Sequence, residues 1–190
     1  AYSKGSRGRP DPLSGVLDLT RRARAPIWSR RGGRGAAGAM AGGLAGRAIL
    51  VVGAGIGGLA AALALARRGA RVRVIEQAPA LTEVGAGLQI GPNAVAVLEA
   101  LGVAEALAPL ASAPPAVELR DFRHGALVAR LPMGAAALAR HGRPYWQFHR
   151  ADLLGALAEA ALAAGAGIET GARVTRVVQD GARVRVVTEA

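Results

Sequence analysis

From residue 48 onward the chain alternates between two apolar textures. Ile49-Leu50-Val51-Val52 is rich in branched side chains, and Leu59 to Ala66 contains only Leu and Ala. Glycines at 53, 55, 57 and 58 separate them. The first texture suits a strand and the second a helix, so a strand over 48–52, a glycine turn and a helix from about Gly57 to Arg68 are predicted. Gly69 supplies a C-terminal cap. Arg71-Val72-Arg73-Val74-Ile75 then alternates with the period of a strand and ends on Glu76. Further on, the pattern predicts a helix over 93–101 capped by Asn93, and Pro114-Pro115 marks a boundary after the segment 103–111. A hairpin follows over 117–122 and 127–131, then a helix over 150–164 and a strand over 168–170. A strand pair over 172–179 and 183–188 turns at Asp180-Gly181.

The run from Ala48 to Ala66 carries no charge and approaches the ~20 residues of a membrane span. The clustered glycines argue against that reading. A strand, a turn and a buried helix account for every residue of the run, whereas a membrane helix leaves the glycine placement unexplained.

Composition narrows the function classes. At 52% apolar and 19% charged residues, the 190-residue chain is not disordered throughout. It has no cysteine, which removes disulfides, thiolate nucleophiles and Cys-ligated metal sites. The net charge of +11 suggests nucleic acid until its location is considered. Residues 1–47 hold ten of the 24 Lys and Arg but only two of the 13 acids. The remainder is nearly balanced, so no nucleic-acid partner is expected for it. The Gly- and Arg-rich residues 1–46 read as a disordered tail or leader. Three uses stay open for them: an inert leader with Met40 as the true start, an organelle-targeting segment, or an Arg-rich nucleic-acid arm. A cytoplasmic location is expected, with organelle targeting the alternative. His124, His141 and His149 have no partners at ligand spacing, so no metal is expected. No serine stands in a G-x-S-x-G context, and no catalytic residue is assigned.

Gly53-Ala54-Gly55-Ile56-Gly57-Gly58 fits G-x-G-x-x-G in the strand–turn–helix context that gives the pattern its meaning. Gly53 permits the turn, Gly55 lets backbone approach a pyrophosphate, and Gly58 lets the helix pack on the sheet. The helix N-terminus offers N–H groups and a positive dipole end to phosphate. Glu76 stands where a ribose-binding acid is expected, and a carboxylate there repels a 2′-phosphate. The nucleotide is therefore FAD or NAD(H) rather than NADP(H).

Beyond Glu76 the chain does not move directly to another helix and strand. A long glycine-bearing loop carries Gly85-Ala86-Gly87-Leu88-Gln89-Ile90-Gly91-Pro92-Asn93-Ala94, and His149-Arg150-Ala151-Asp152-Leu153-Leu154 follows much later. Both motifs, in this order, resemble the flavin-dependent aromatic hydroxylases, single-component monooxygenases that include salicylate hydroxylase and 3-hydroxybenzoate 6-hydroxylase. The resemblance covers roughly 48–190.

It implies an α/β fold: a Rossmann-like, glutathione-reductase-type FAD-binding βαβ domain with a β-meander and part of an inserted substrate-domain sheet. The implied organisation is an FAD-binding unit over 47–113, a partial substrate-domain hairpin over 114–148 and a return to the FAD-binding domain over 149–190. Carried over, Gly53, Gly55, Ile56, Gly57 and Gly58 hold the FAD pyrophosphate and Glu76 holds the adenosine ribose. Gln89 passes near the flavin, Arg150 reaches the cofactor, and Val174 meets the adenine through its backbone. The parent reaction is NAD(P)H- and O2-dependent hydroxylation of a small aromatic substrate. The alternatives are another FAD-dependent oxidoreductase or a non-catalytic nucleotide-binding remnant. A homodimer is the assembly considered for the full-length enzyme. Later family motifs for the riboflavin end of FAD are not found before Ala190. The chain is therefore expected to be an N-terminal fragment, inactive by itself and prone to aggregate. Tyr145, Trp146 and Phe148 form an aromatic cluster whose expected use is packing.

Overall fold

The parallel sheet grows out of the two apolar strands on either side of the first helix. In the computed structural model, which describes residues 16–18, 43–82, 86–181 and 183–189, strand β2 (Ala48–Val52) leads through the glycines into helix α1 (Ile56–Arg67). Gly69 takes a left-handed φ of 85° and turns the chain into β3 (Arg71–Ile75). β3 lies parallel to β2, in the register Ala48↔Arg71 to Val52↔Ile75. The third strand, β8 (Gly167–Glu169), joins the other side of β3 in parallel, so β3 is central. Helix α5 (Arg150–Ala163) precedes β8 as α1 precedes β3.

Alternation along β3 decides what covers each face. Val72 and Val74 point into the larger core with Leu59, Ala62 and Leu63 of α1 and Leu153, Leu154, Leu157, Ala158 and Ala161 of α5. Ile75 points the other way, into a small cluster with Ala172 and Val186. That second layer is an antiparallel meander of β9 (Val174–Asp180) and β10 (Arg183–Thr188). Sheet strands covered on both sides explain the apolar texture that resembled a membrane span. Among the described residues no helix is long and apolar enough to cross a membrane.

Several sequence expectations need correction. The tail is not without order throughout: β1 (Val16–Asp18) pairs antiparallel with β10, register Val16↔Val187 to Asp18↔Arg185. The otherwise open edge of β10 accounts for the pairing, because edge N–H and C=O groups pair with any extended segment. The rest of residues 1–42, with the three uses considered for it, lies outside the described residues. The stretch read as a loop before Pro92 contains a strand, β4 (Gly87–Ile90), paired antiparallel with β7 (Trp146–His149). Asn93 does not cap helix α2 (Pro92–Ala100); Gly91 is the N-cap, because Pro92 fits the first helical position.

After α2 come the short helix α3 (Ala104–Leu107), a 3-10 turn (Ala108–Leu110) and the hairpin β5 (Ala116–Arg120) with β6 (Leu127–Pro132). An additional helix, α4 (Gly134–His141), follows the hairpin. It closes on Gly142 with a left-handed φ of 68°. Within the aromatic cluster, Phe148 is buried and meets Trp146 edge to face at 5.7 Å between centroids.

Candidate functional site

Topology gathers the motif residues at one end of the parallel sheet. Because β2, β3 and β8 are parallel, α1 and α5 each run back against them before the next strand. The N-termini of both helices therefore lie at the carboxyl end of the sheet, where open α/β folds bind ligands. Gly55 heads α1 and Arg150 is the first residue of α5.

The glycine turn has a distinct reason at each position. Gly53 holds a φ of 95°, where a side chain is strained, and its N–H donates to the Ile75 carbonyl at 2.7 Å. A Cβ on Gly58 would fall onto the Gly53 carbonyl oxygen. A Cβ on Gly55 or Gly57 would meet nothing within 4 Å. So Gly58 is demanded by packing, whereas Gly55 and Gly57 leave space beside the backbone. Gly55 is the N-cap of α1 and has no side chain to offer the first-turn N–H groups of Ile56, Gly57 and Gly58. Those donors and the helix dipole suit an anion seated against the turn. These features fit a diphosphate.

Glu76 is tied into the same turn. Its Oε2 accepts the Ala54 N–H at 2.7 Å and its Oε1 accepts the Ala78 N–H at 2.9 Å. The Ala78 N–H first, then the Ala54 N–H, hold the carboxyl below its ordinary pKa, against the opposing effect of burial. Glu76 also donates its N–H to the Glu169 carbonyl and accepts the Ala172 N–H at its own carbonyl, both at 2.8 Å. Val174 begins β9 two residues later, half-buried against the Ile75 cluster.

A second group sits on the β4–β7 ribbon. Gln89 is directly opposite Gln147. Both line a cavity of about 460 Å³ with Gly87, Ser112, His149 and Asp152. Arg150 follows β7 immediately, is half-buried, and donates its N–H to the Ala86 carbonyl at 3.0 Å. Gln89 and Arg150 are thus joined through neighbouring backbone.

Sequence reasoning did not single out Gln147, Ser112 or Asp152 beside Gln89. Gln147 had a signal, because Trp146-Gln147-Phe148-His149 alternates in the way a strand opposite Gln89 requires. The partners of Glu76 are main-chain N–H groups and left none. Among the described residues, no group of three His, Asp or Glu stands together to hold a metal ion.

Comparison with known proteins agrees with this geometry. The FAD binding domain family matches residues 47–189. The chain is 45% identical over 139 residues to 3-hydroxybenzoate 6-hydroxylase of Polaromonas naphthalenivorans, covering 73% of this chain and 35% of that protein. It is 41% identical over 138 residues to 6-hydroxynicotinate 3-monooxygenase of Bordetella bronchiseptica, covering 73% and 36%. The chain thus spans about a third of the length of these curated relatives. Among solved structures, the FAD complex of an HpxO variant from Klebsiella pneumoniae superposes with a TM-score of 0.63 at 29% identity. That match covers 74% of this chain and 35% of the other. The strand–glycine–helix turn, the acid that closes it and these matches agree, and the chain belongs to the FAD binding domain family.

Proposed function

We propose that this chain is the FAD-binding portion of a monooxygenase that uses NAD(P)H and O2 to hydroxylate a small aromatic substrate. The observation that carries the reading is the Gly53–Gly58 turn, open beside Gly55 and closed by the Glu76 carboxylate. The first-turn N–H groups of α1 receive the FAD diphosphate, and Gly55 lets them approach it. Glu76 accepts the adenosine ribose hydroxyls, and Val174 offers its backbone to the adenine. Arg150, at the same end of the sheet, neutralises cofactor charge with a fixed guanidinium. Gln89 faces the flavin end. FAD, when bound, supplies the redox chemistry, taking electrons from NAD(P)H and passing them to O2.

The relatives' names supply the substrate class. A 3-hydroxybenzoate 6-hydroxylase, a 6-hydroxynicotinate 3-monooxygenase and a 3-amino-4-hydroxybenzoate 2-monooxygenase are each named for a ring that bears both a carboxylate and an electron-donating group. A ring so activated is the substrate expected for the whole protein. Assembly of the whole protein as a homodimer and a cytoplasmic location, where NAD(P)H is at hand, belong to the same reading. A solved relative, 2-methyl-3-hydroxypyridine-5-carboxylic acid oxygenase, is described in a tetrameric form.

Titrating the chain with FAD and following flavin fluorescence tests the cofactor assignment. Saturable binding that weakens at least about tenfold in both Gly55→Val and Arg150→Met is expected, since the first fills the space beside the turn and the second removes a positive charge. Equal affinity in both variants would overturn it.

A further inference from the structure

Glu76 does more in this fold than present a carboxylate to solvent. Each of its two side-chain oxygens is already bonded to main chain: Oε2 to Ala54, inside the glycine turn, and Oε1 to Ala78, in the loop after β3. Its peptide N–H and carbonyl reach Glu169 at the end of β8 and Ala172 ahead of Val174. Gly171 N–H in turn donates to the Ala78 carbonyl at 2.8 Å. One residue thereby fastens three segments: the turn after β2, the loop after β3 and the β8–β9 connection.

We propose that Glu76 is a positioning residue for the glycine turn, setting its shape before any nucleotide arrives, and that it keeps this hold while it receives a ribose. The second half rests on the ribose reading given above; the first half does not. An ionised carboxylate has about four lone-pair directions, two on each oxygen. Main-chain N–H groups occupy one on each oxygen. The Gln77 N–H also bears on the carboxylate, and the direction left over can accept a ribose hydroxyl. Binding then adds to the existing bonds and need not displace them. The turn is already built when the diphosphate arrives, which lowers the ordering cost of binding.

This accounting makes Glu a strict choice. A glutamine has one acceptor oxygen, and its NH2 would face a main-chain N–H, donor against donor. An aspartate keeps both oxygens but lacks the CH2 that lets them reach Ala54 and Ala78 together.

Site-resolved hydrogen exchange on the ligand-free 190-residue chain tests the positioning role without any nucleotide. In Glu76→Gln, at least one of the Ala54 and Ala78 amides should exchange about tenfold faster, as expected for loss of a bond to a charged acceptor. In Glu76→Asp at least one should do so too. The Val74 amide in the central strand should not change, which shows that the variants fold. Unchanged exchange at both Ala54 and Ala78 in both variants would overturn the proposal. FAD titration of the same variants separates the two halves. Faster exchange with weaker FAD binding supports both. Faster exchange with unchanged affinity overturns the ribose half and keeps the positioning role. Weaker binding with unchanged exchange keeps the ribose contact and overturns positioning.

Discussion

The Gly53 carbonyl oxygen occupies the place where a side chain on residue 58 would begin, so Gly58 must be a glycine. Nothing comparable constrains Gly55. Two glycines of one motif therefore differ in kind: packing demands Gly58, whereas open space lies beside Gly55. Gly58→Ala should force a backbone shift and destabilise the chain by about 1–3 kcal/mol, the usual cost of overpacking. Gly55→Val should leave the melting temperature of the ligand-free chain nearly unchanged while abolishing FAD binding. Thermal melts with and without FAD check both. A Gly55→Val chain that melts as low as Gly58→Ala would show that the space beside Gly55 is not open.

The acid limb of stability should carry a contribution from Glu76. Its carboxyl is held below its ordinary pKa, first by the Ala78 N–H and then by the Ala54 N–H. A depressed acid contributes stability that is fully present above its unfolded value, about 4.3, and is lost as pH falls through the lower folded value. The window is therefore below about pH 4.5. Glu118, lowered by Arg120 in the exposed hairpin, titrates in the same direction. The informative quantity is thus the difference between the native chain and Glu76→Gln. That difference should be largest near pH 6 and shrink towards pH 3; a constant difference would contradict the shift.

The packing of α1 on α5 should dominate global stability. Leu157 of α5 is fully buried in the core shared with Leu59 and Leu63 of α1. Leu157→Ala leaves a cavity between two helices fixed by their strands, so a loss of about 2–5 kcal/mol is expected in denaturant melts. Leu162 is half-exposed on the same helix. Leu162→Ala should cost well under 1 kcal/mol, in line with surface substitutions.

How much of this was legible in the sequence follows from how local each cause is. The β2–α1–β3 unit was readable because Gly53, Gly58, Gly69 and the Arg/Val alternation of β3 act within a few residues of themselves. The β4–β7 pairing was not, because Gly87 and His149 meet across the hairpin and α4 that lie between them. Gln89 therefore read as a loop amide, although the alternation of Trp146–His149 marked a strand in search of a partner. Helix α4 was missed because it is only eight residues long and opens on Gly134, two residues after Pro132, where a turn is the more usual reading. Asn93 was taken for a cap on its residue type, but Pro92 fits the first helical position and moves the cap to Gly91. At the candidate site, the positions of Glu76 and Arg150 were visible. The main-chain partners of Glu76 were not, since an N–H carries no residue signature.

The meander edge yields the last expectation. β10 is bonded to β9 on one side and to Val16–Asp18 on the other, so it is the central strand of three. A chain beginning at Met40 loses β1 and leaves the outer N–H and C=O groups of β10 to water. The remaining two-stranded ribbon stays attached through Val186, buried against Ile75 and Ala172, so it should persist with weaker local protection. Hydrogen exchange over residues 183–188 should therefore quicken in the shortened chain. Exchange over 48–52 and 71–75 should stay the same, because those strands belong to the separate parallel sheet. The melting temperature should fall by only a few degrees, since three residues of edge pairing contribute little beside the α1–α5 core. Residues 1–39 would then be dispensable for the fold and useful to one edge of it. Identical exchange over 183–188 in the two chains would remove β1 from any part in holding the meander.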